Sequence, residues 1–228
     1  MPVDGRPPPV RGTFFERLTD AERATLDQLA VKRTFPKGAI LMFQGEHHDR
    51  LLLLLSGRAK ITRAAKRGDE VMLAIRGAGD VLGELAFIDG LPRLATVTAL
   101  EPVEALVLSG QRFRSYLEGA PRVAVVLLES VAGRFRESTL MRLQFTESDT
   151  LGRLASRILE LADRYGQQSD DGLVVPMPIS QDDLASWTGA SRAGVAQALQ
   201  TLRELGWLTT DRRVIIIRDV DALRARSA

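Results

Sequence analysis

Two stretches of this 228-residue chain carry side chains whose types and spacing suit the binding of anions and of base edges. In the first, Gly83-Glu84-Leu85 precedes Arg93-Leu94-Ala95, with Gly83 and Arg93 ten residues apart. Glycine lets backbone N–H groups approach an anion, a carboxylate accepts from hydroxyls, and a guanidinium can fork onto a phosphate. Either half alone reads as a surface turn or a solvated charge; together they are more specific. In the second, Ser191-Arg192-Ala193 and Gln197 sit on one helical stretch. Arginine can donate twice to guanine O6 and N7, glutamine can pair with adenine N6 and N7, and the Ala193 methyl can touch thymine. Ser180, Ser191, Arg212 and Arg213 are of types that reach phosphate oxygens, and helix capping is the plain alternative for both serines.

Composition removes several other chemistries. With no cysteine the chain has no disulfide, no thiolate-ligated iron–sulfur cluster and no sulfur-based zinc site, and its two histidines, His47 and His48, are adjacent. The expectation is therefore no metal, no haem and no iron–sulfur cluster. No phosphate-cradling GxxxxGK[ST] loop is present. A formal charge of +2 gives little whole-chain attraction to nucleic acid, so any such contact must be a local patch. The longest aliphatic runs, 51–55 and 123–128, fall far short of the roughly 20 apolar residues that span a bilayer. We expect a soluble, cytoplasmic protein with no membrane partner, whose proline-rich start (1–13) is a disordered leader.

Elements that could position these residues follow from pattern. Thr19 and Glu22 form a capping box ahead of Leu26 and Leu29. From 35 to about 108, short apolar or alternating runs are punctuated by glycines, with Lys66-Arg67-Gly68-Asp69 as a hairpin tip, which predicts a β-sandwich or closed barrel. Between 121 and 148 Leu128, Val131, Phe135, Ser138, Arg142 and Phe145 recur at steps of 3 and 4, a coiled-coil seam suited to a parallel dimer. Val125, Leu127, Leu140 and Leu143 lie off that seam and are expected to serve the barrel. A further amphipathic helix carries Leu151, Leu154, Ile158 and Leu161 to a left-handed Gly166, and 167–172 reads as a polar loop. Ser180 and Asp183 start a helix. Thr188-Gly189-Ala190 is a tight turn, and Ser191 caps a second helix with Val195, Leu199 and Leu202 inward. Two strands joined at Asp211-Arg212-Arg213 follow, completing a winged helix-turn-helix. Leu184, Ala185, Trp187, Val195, Leu199 and Trp207 are assigned to its core.

Over 14–218 the chain resembles the family of the cyclic-AMP receptor protein and the fumarate-nitrate reductase regulator. Three motifs in order carry the likeness: Gly83-Glu84-Leu85-Ala86 with Arg93-Leu94-Ala95-Thr96, similar to the family's phosphate-binding cassette; Ser138-Thr139, where cyclic-AMP binders place hydroxyls that contact adenine from both subunits; and Ser180 to Leu202, similar to the family's helix-turn-helix. The resemblance implies an α+β fold: an N-terminal jelly-roll β-barrel of the cyclic-nucleotide-binding type (14–120), a dimerisation helix (121–148) and a C-terminal winged helix-turn-helix (149–228). It implies a homodimeric transcription regulator with double-stranded DNA and RNA polymerase as partners and cyclic AMP or a related nucleotide as effector. Gly83, Glu84, Leu85, Arg93, Leu94, Ala95, Arg134, Ser138 and Thr139 would hold that effector, with Arg134 beside the base. Ser180, Ser191, Arg192, Ala193, Gln197, Arg212 and Arg213 would meet DNA, Arg192 as the main base reader.

Departures from the family pattern mark where the likeness weakens. Leu94 stands where cyclic-AMP binders carry Ser or Thr, and Ala193 and Gln197 replace a Glu and an Arg, so the operator differs from the family consensus. A regulator responding to another nucleotide, such as a cyclic dinucleotide, or to none, is one rival. A sensor subunit of an enzyme is another, and Ser138 can equally be a polar residue that fixes dimer register.

Overall fold

The computed structural model describes residues 12–47, 49–64 and 70–227, without the side chains of 143–147. Residues 1–11 of the expected leader (1–13), the Lys66 to Asp69 tip, and the Leu143 and Phe145 side chains lie outside the described residues, whereas Thr13, the last residue of that leader, is buried. Backbone contacts divide the chain into two compact units, Met1–Phe135 and Arg136–Ala228.

In the first unit, Thr19 caps α1 (Asp20–Leu29) through the expected reciprocal box with Glu22. The strands β1 (Val31–Phe35), β2 (Ile40–Met42), β3 (Leu51–Ser56), β4 (Ala59–Ala64), β5 (Glu70–Arg76) and β6 (Val81–Leu82) precede a short helix, α2 (Glu84–Asp89). After β7 (Thr96–Ala99) and β8 (Val103–Leu108) come α3 (Gly110–Gly119) and the long α4 (Pro121–Glu147), whose residues from Arg136 onward are counted with the second unit. Two antiparallel sheets result, ordered β1-β8-β3-β6 and β2-β7-β4-β5, with the chain-distant neighbours of a jelly roll.

The run Leu51 to Leu55 shows why the strand pattern is continuous rather than alternating: both of its faces are covered. Leu52 and Leu54 join Leu41, Met42, Leu82 and Val97 in one apolar cluster. Leu51, Leu53 and Leu55 turn the other way onto Phe14, Leu26, Phe113, Val123 and Leu127, drawn from the helices and the segment before α1. Truncating one of these leucines to alanine is expected to cost on the order of 2–5 kcal/mol.

The long helix forms as anticipated, but its faces divide differently. Val123, Val126 and Leu127 are buried, whereas Val125 and Leu140, expected to serve the barrel, are 53% and 62% exposed. The reason is angular: residues 123, 126 and 127 share one stripe, and 125 points away from it. Leu128 and Phe135 of the seam are also exposed, Phe135 at 73%.

In the second unit, α5 (Thr150–Tyr165) leads into a hairpin, β9 (Gln167–Ser169) and β10 (Gly172–Pro176). This corrects the polar loop expected at 167–172, because pairing of Gly172 with Ser169 and Val174 with Gln167 gives these polar residues a ladder. Gly166 is not left-handed either, with φ −66° and ψ 142°. Glycine is favoured there by space, since a Cβ would lie 2.4 Å from the Ala162 carbonyl oxygen. The unit continues with α6 (Gln181–Thr188), α7 (Arg192–Glu204), β11 (Leu208–Asp211), β12 (Val214–Ile217) and α8 (Val220–Ser227), a last helix that the sequence reading lacked. Its sheet runs β11-β12-β10-β9. Leu154, Ile158, Leu184, Ala185, Trp187, Val195, Leu199, Leu202 and Ile217 are buried. Trp207, placed in the core from sequence, is only half-buried; its carbonyl accepts from Arg218 and Asp219 N–H groups.

Candidate nucleotide pocket and nucleic-acid interface

Gly83 follows β6 at φ 84° and caps α2, a left-handed turn that glycine adopts without a Cβ penalty. A Cβ here would lie 2.2 Å from Arg93 Nη1 and 2.9 Å from Met42 Cε, so the absent side chain also makes room for the guanidinium. Arg93 is 4% exposed. Its Nη1 donates to the Gly83 carbonyl at 2.8 Å and its Nη2 to the Arg50 carbonyl. Arg93 Nε is buried with no hydrogen-bond partner among the described residues. Burial, reinforced by the neighbouring Arg50 cation, pulls the Arg93 pKa below the ordinary arginine value, with Glu84, Glu46 and Asp49 opposing. A buried cation held by carbonyls alone, with a donor left over, is a place where an anion relieves a desolvation cost.

Glu84, at 6% exposure, opens α2. The partner of its carboxylate comes from α4: Arg134 Nη1 donates to Glu84 Oε1 at 2.8 Å, and Arg134 Nη2 donates to Val81 O at 2.8 Å and Asp80 Oδ1 at 3.2 Å. Gly83, Glu84, Arg93 and Arg134 are thus brought together. Leu85 and Leu94 present exposed side chains, at 40% and 53%, and Ala95 is half-buried. Ser138 and Thr139 are exposed on α4. Asp80 and Arg50 were missed from sequence, because Asp80 precedes β6 with no motif and Arg50 contributes a carbonyl, which every residue has.

In the second unit the helix pair is fixed by its caps. Ser180 Oγ accepts from Asp183 N–H while Asp183 Oδ2 accepts from Ser180 N–H, and Gly189 takes the left-handed position after α6 at φ 62°. Ser191 Oγ accepts from Gly194 N–H at 3.0 Å. Both serines therefore cap, as the plainer reading held. Arg192, Ala193 and Gln197 are exposed along α7, and Arg212 and Arg213 are exposed at the β11–β12 tip. Arg213 is left-handed at φ 62°, and its carbonyl accepts from Met177 N–H, which anchors the tip. Arg192 Nε lies 3.7 Å from Asp182 Oδ1.

Two supports behind this surface carried no sequence signal. Arg153 Nε donates to Thr188 O at 2.8 Å, tying α5 to the turn between α6 and α7. The Arg157 guanidinium, buried, stands 5.0 Å from the Trp187 ring centroid and pairs with Glu160 Oε2 at 2.9 Å. Arginines on an amphipathic helix usually point to water, so only packing reveals these two.

Residues 32–119 match the family model described as a cyclic nucleotide-binding domain, and 152–226 match a Crp-like helix-turn-helix domain. A CRP-like cAMP-activated global transcriptional regulator of Mycobacterium tuberculosis is 31% identical across 95% of this chain and 97% of its own length. The cyclic AMP receptor protein of Thermus thermophilus is 28% identical across 84% of this chain and 86% of its own. Among solved structures, FixK2 from Bradyrhizobium japonicum has the same fold, with a TM-score of 0.77 at 19% identity over 87% of this chain and 98% of that one. No helix among the described residues is long and apolar enough to cross a membrane. With both domain models matched in order and a relative aligned along almost its whole length, the chain belongs to the CRP/FNR family of transcription regulators, which are DNA-binding proteins and not enzymes.

Proposed function

We propose that the chain works as a homodimer whose affinity for an operator is set by a nucleotide, cyclic AMP first among candidates, bound at Arg93 and Glu84. The observation that carries this reading is the buried Arg93 with its unpartnered Nε, beside a glycine whose side chain would fill the same space. A phosphate supplies the acceptor that Arg93 lacks, and a ribose hydroxyl can donate to Glu84. Backbone groups of Gly83, Leu85 and Ala95 complete the cradle, and Ser138 and Thr139 are the residues proposed to meet the base. The cyclic-AMP names of two relatives point the same way.

Ligand control rests on Arg134, which belongs to the long helix and holds Glu84. A hydroxyl arriving at that carboxylate changes what Arg134 is bonded to, and so biases α4 between conformations. The nucleotide can shift this equilibrium only by its differential affinity for the two states. Exposed Leu128 and Phe135 on α4 supply the dimer contact. The α7 helices of the two copies would then enter major grooves one turn apart, about 34 Å, with Arg192 reading guanine, Gln197 adenine, and Arg212 and Arg213 on phosphates.

Leu94 favours a second reading, in which the effector is another nucleotide, such as a cyclic dinucleotide. Its exposed alkyl side chain offers no hydroxyl to a phosphate. RNA polymerase as a partner, a cytoplasmic site of action, and domain limits at 120, 148 and 228 belong to the same proposal. Sedimentation of the full chain with footprinting on a duplex selected from a random pool tests it. A dimer protecting two half-sites one turn apart is expected, and a monomer with no sequence preference contradicts it.

A further inference from the structure

A cavity of about 440 Å³ opens beside β1, β3 and β8, and none of Gly83, Glu84 or Arg93 lines it. That volume lies within the range of small-molecule sites. Its inner surface is apolar: Leu52 is buried, and Phe35 and Val107 are half-buried beside it. Three guanidiniums stand around this surface from separate places in the chain: Arg33 in β1, Arg50 just ahead of β3, and Arg112 in the first turn of α3.

The charge balance of this cavity is one-sided. No Asp or Glu lines it among the described residues. Strand alternation turns Lys32 to the opposite face, where it pairs with Glu104 at 3.0 Å. Arg33 makes no ion pair among the described residues, and Arg112 Nη1 only reaches the Leu29 carbonyl at 3.5 Å. An apolar floor under a cationic rim selects a molecule with both characters. Guanidiniums fork onto carboxylates, and the floor takes a hydrocarbon body that a bare inorganic anion lacks.

We propose that this cavity binds a small amphipathic carboxylate, of the size of a medium-chain fatty acid, at a site separate from the nucleotide pocket. The two sites share one residue. Arg50 Nη2 donates to Leu41 O at 3.1 Å on the cavity side, while the Arg50 carbonyl accepts from Arg93 Nη2. An occupant that shifts Arg50 therefore acts on the guanidinium assigned to the nucleotide phosphate.

The test is calorimetric titration of the full-length protein with octanoate, octanol and inorganic phosphate. Octanoate is expected to bind once per chain, with octanol and phosphate each weaker by about ten-fold or more. A double variant, Arg33→Gln with Arg112→Gln, changes two exposed rim residues and is expected to lose octanoate affinity by about ten-fold or more with an unchanged thermal melt. Absence of octanoate binding, equal binding of phosphate or octanol, or an unaffected double variant overturns the proposal. None of these readouts uses nucleotide or DNA, so failure of the site and failure of the regulatory reading are told apart.

Discussion

Arg134 on the long helix holds Glu84 at the start of α2, Nη1 to Oε1 at 2.8 Å, across fifty residues of sequence. The contact joins the loop that carries the proposed phosphate site to the helix that leaves it. Replacing Arg134 by alanine leaves Glu84, 6% exposed, without its guanidinium. We expect nucleotide still to bind, while the ratio of operator affinities with and without it falls by about ten-fold, a loss of roughly 1.4 kcal/mol of coupling. Parallel calorimetry and gel shifts read the two effects separately.

Gly83→Ala forces a Cβ into a left-handed residue and to within 2.2 Å of Arg93 Nη1. The backbone penalty is on the order of 1–2 kcal/mol, too small to unfold a domain of this size. Displacement of Arg93 is the larger consequence. The expected result is a small loss of thermal stability with nucleotide affinity reduced by more than about ten-fold; intact affinity would detach Arg93 from the site.

Leu94→Ser places a hydroxyl where cyclic-AMP binders of the family have one. Leu94 is 53% exposed, so little packing is lost. If cyclic AMP is the effector, its affinity rises about ten-fold or more, since one added hydrogen bond to a charged group contributes roughly 1.5–3 kcal/mol. A variant that weakens cyclic-AMP binding speaks for a different nucleotide.

Arg192→Ala removes the group assigned to guanine, and a bidentate pair contributes about 1–3 kcal/mol of discrimination. Specific affinity falls by about ten-fold or more while non-specific affinity changes little, measured by gel shift against competitor DNA. Arg212→Ala, assigned to phosphate, instead lowers both and flattens the salt dependence.

Two caps make stability pH-dependent. The Gly152 N–H, helped by Arg226 and opposed by desolvation, holds the Asp149 carboxyl below its ordinary 3.8. The Thr19 N–H, then Arg122, does the same for Glu22 below 4.5, again against desolvation. A carboxylate with a depressed folded pKa stabilises fully above its unfolded value, and that contribution disappears as pH falls through the folded one. Melting temperature should therefore drop below about pH 4, and Asp149→Ala, which costs about 1 kcal/mol near neutrality as a lost N-cap, should make the drop shallower.

The parts of the fold legible in sequence were those set by local chemistry. Thr19 with Glu22, Ser180 with Asp183, and Ser191 announce helix starts because each cap is closed within three residues. The wing at Asp211 to Arg213 followed from strand pattern alone. Gly166 misled because glycine after a helix usually signals a left-handed turn, whereas here it answers a clash with the Ala162 carbonyl. The hairpin at 167–176 was hidden because Gln167, Gln168 and Ser169 have no apolar alternation, and only pairing with β10 makes them a strand. At the pocket, Gly83, Glu84 and Arg93 were visible as a motif. The bonds of Arg134 to Glu84 and Asp80 depend on contacts more than fifty residues apart in the chain, or fifty for Glu84 itself, which spacing does not encode.

The most direct test of the account is operator affinity with and without cyclic nucleotide in the native chain and in Arg93→Ala. Nucleotide is predicted to tighten operator binding of the native chain and to leave that of the variant unchanged, with both equally folded. An equal response in the two proteins contradicts the assignment of Arg93.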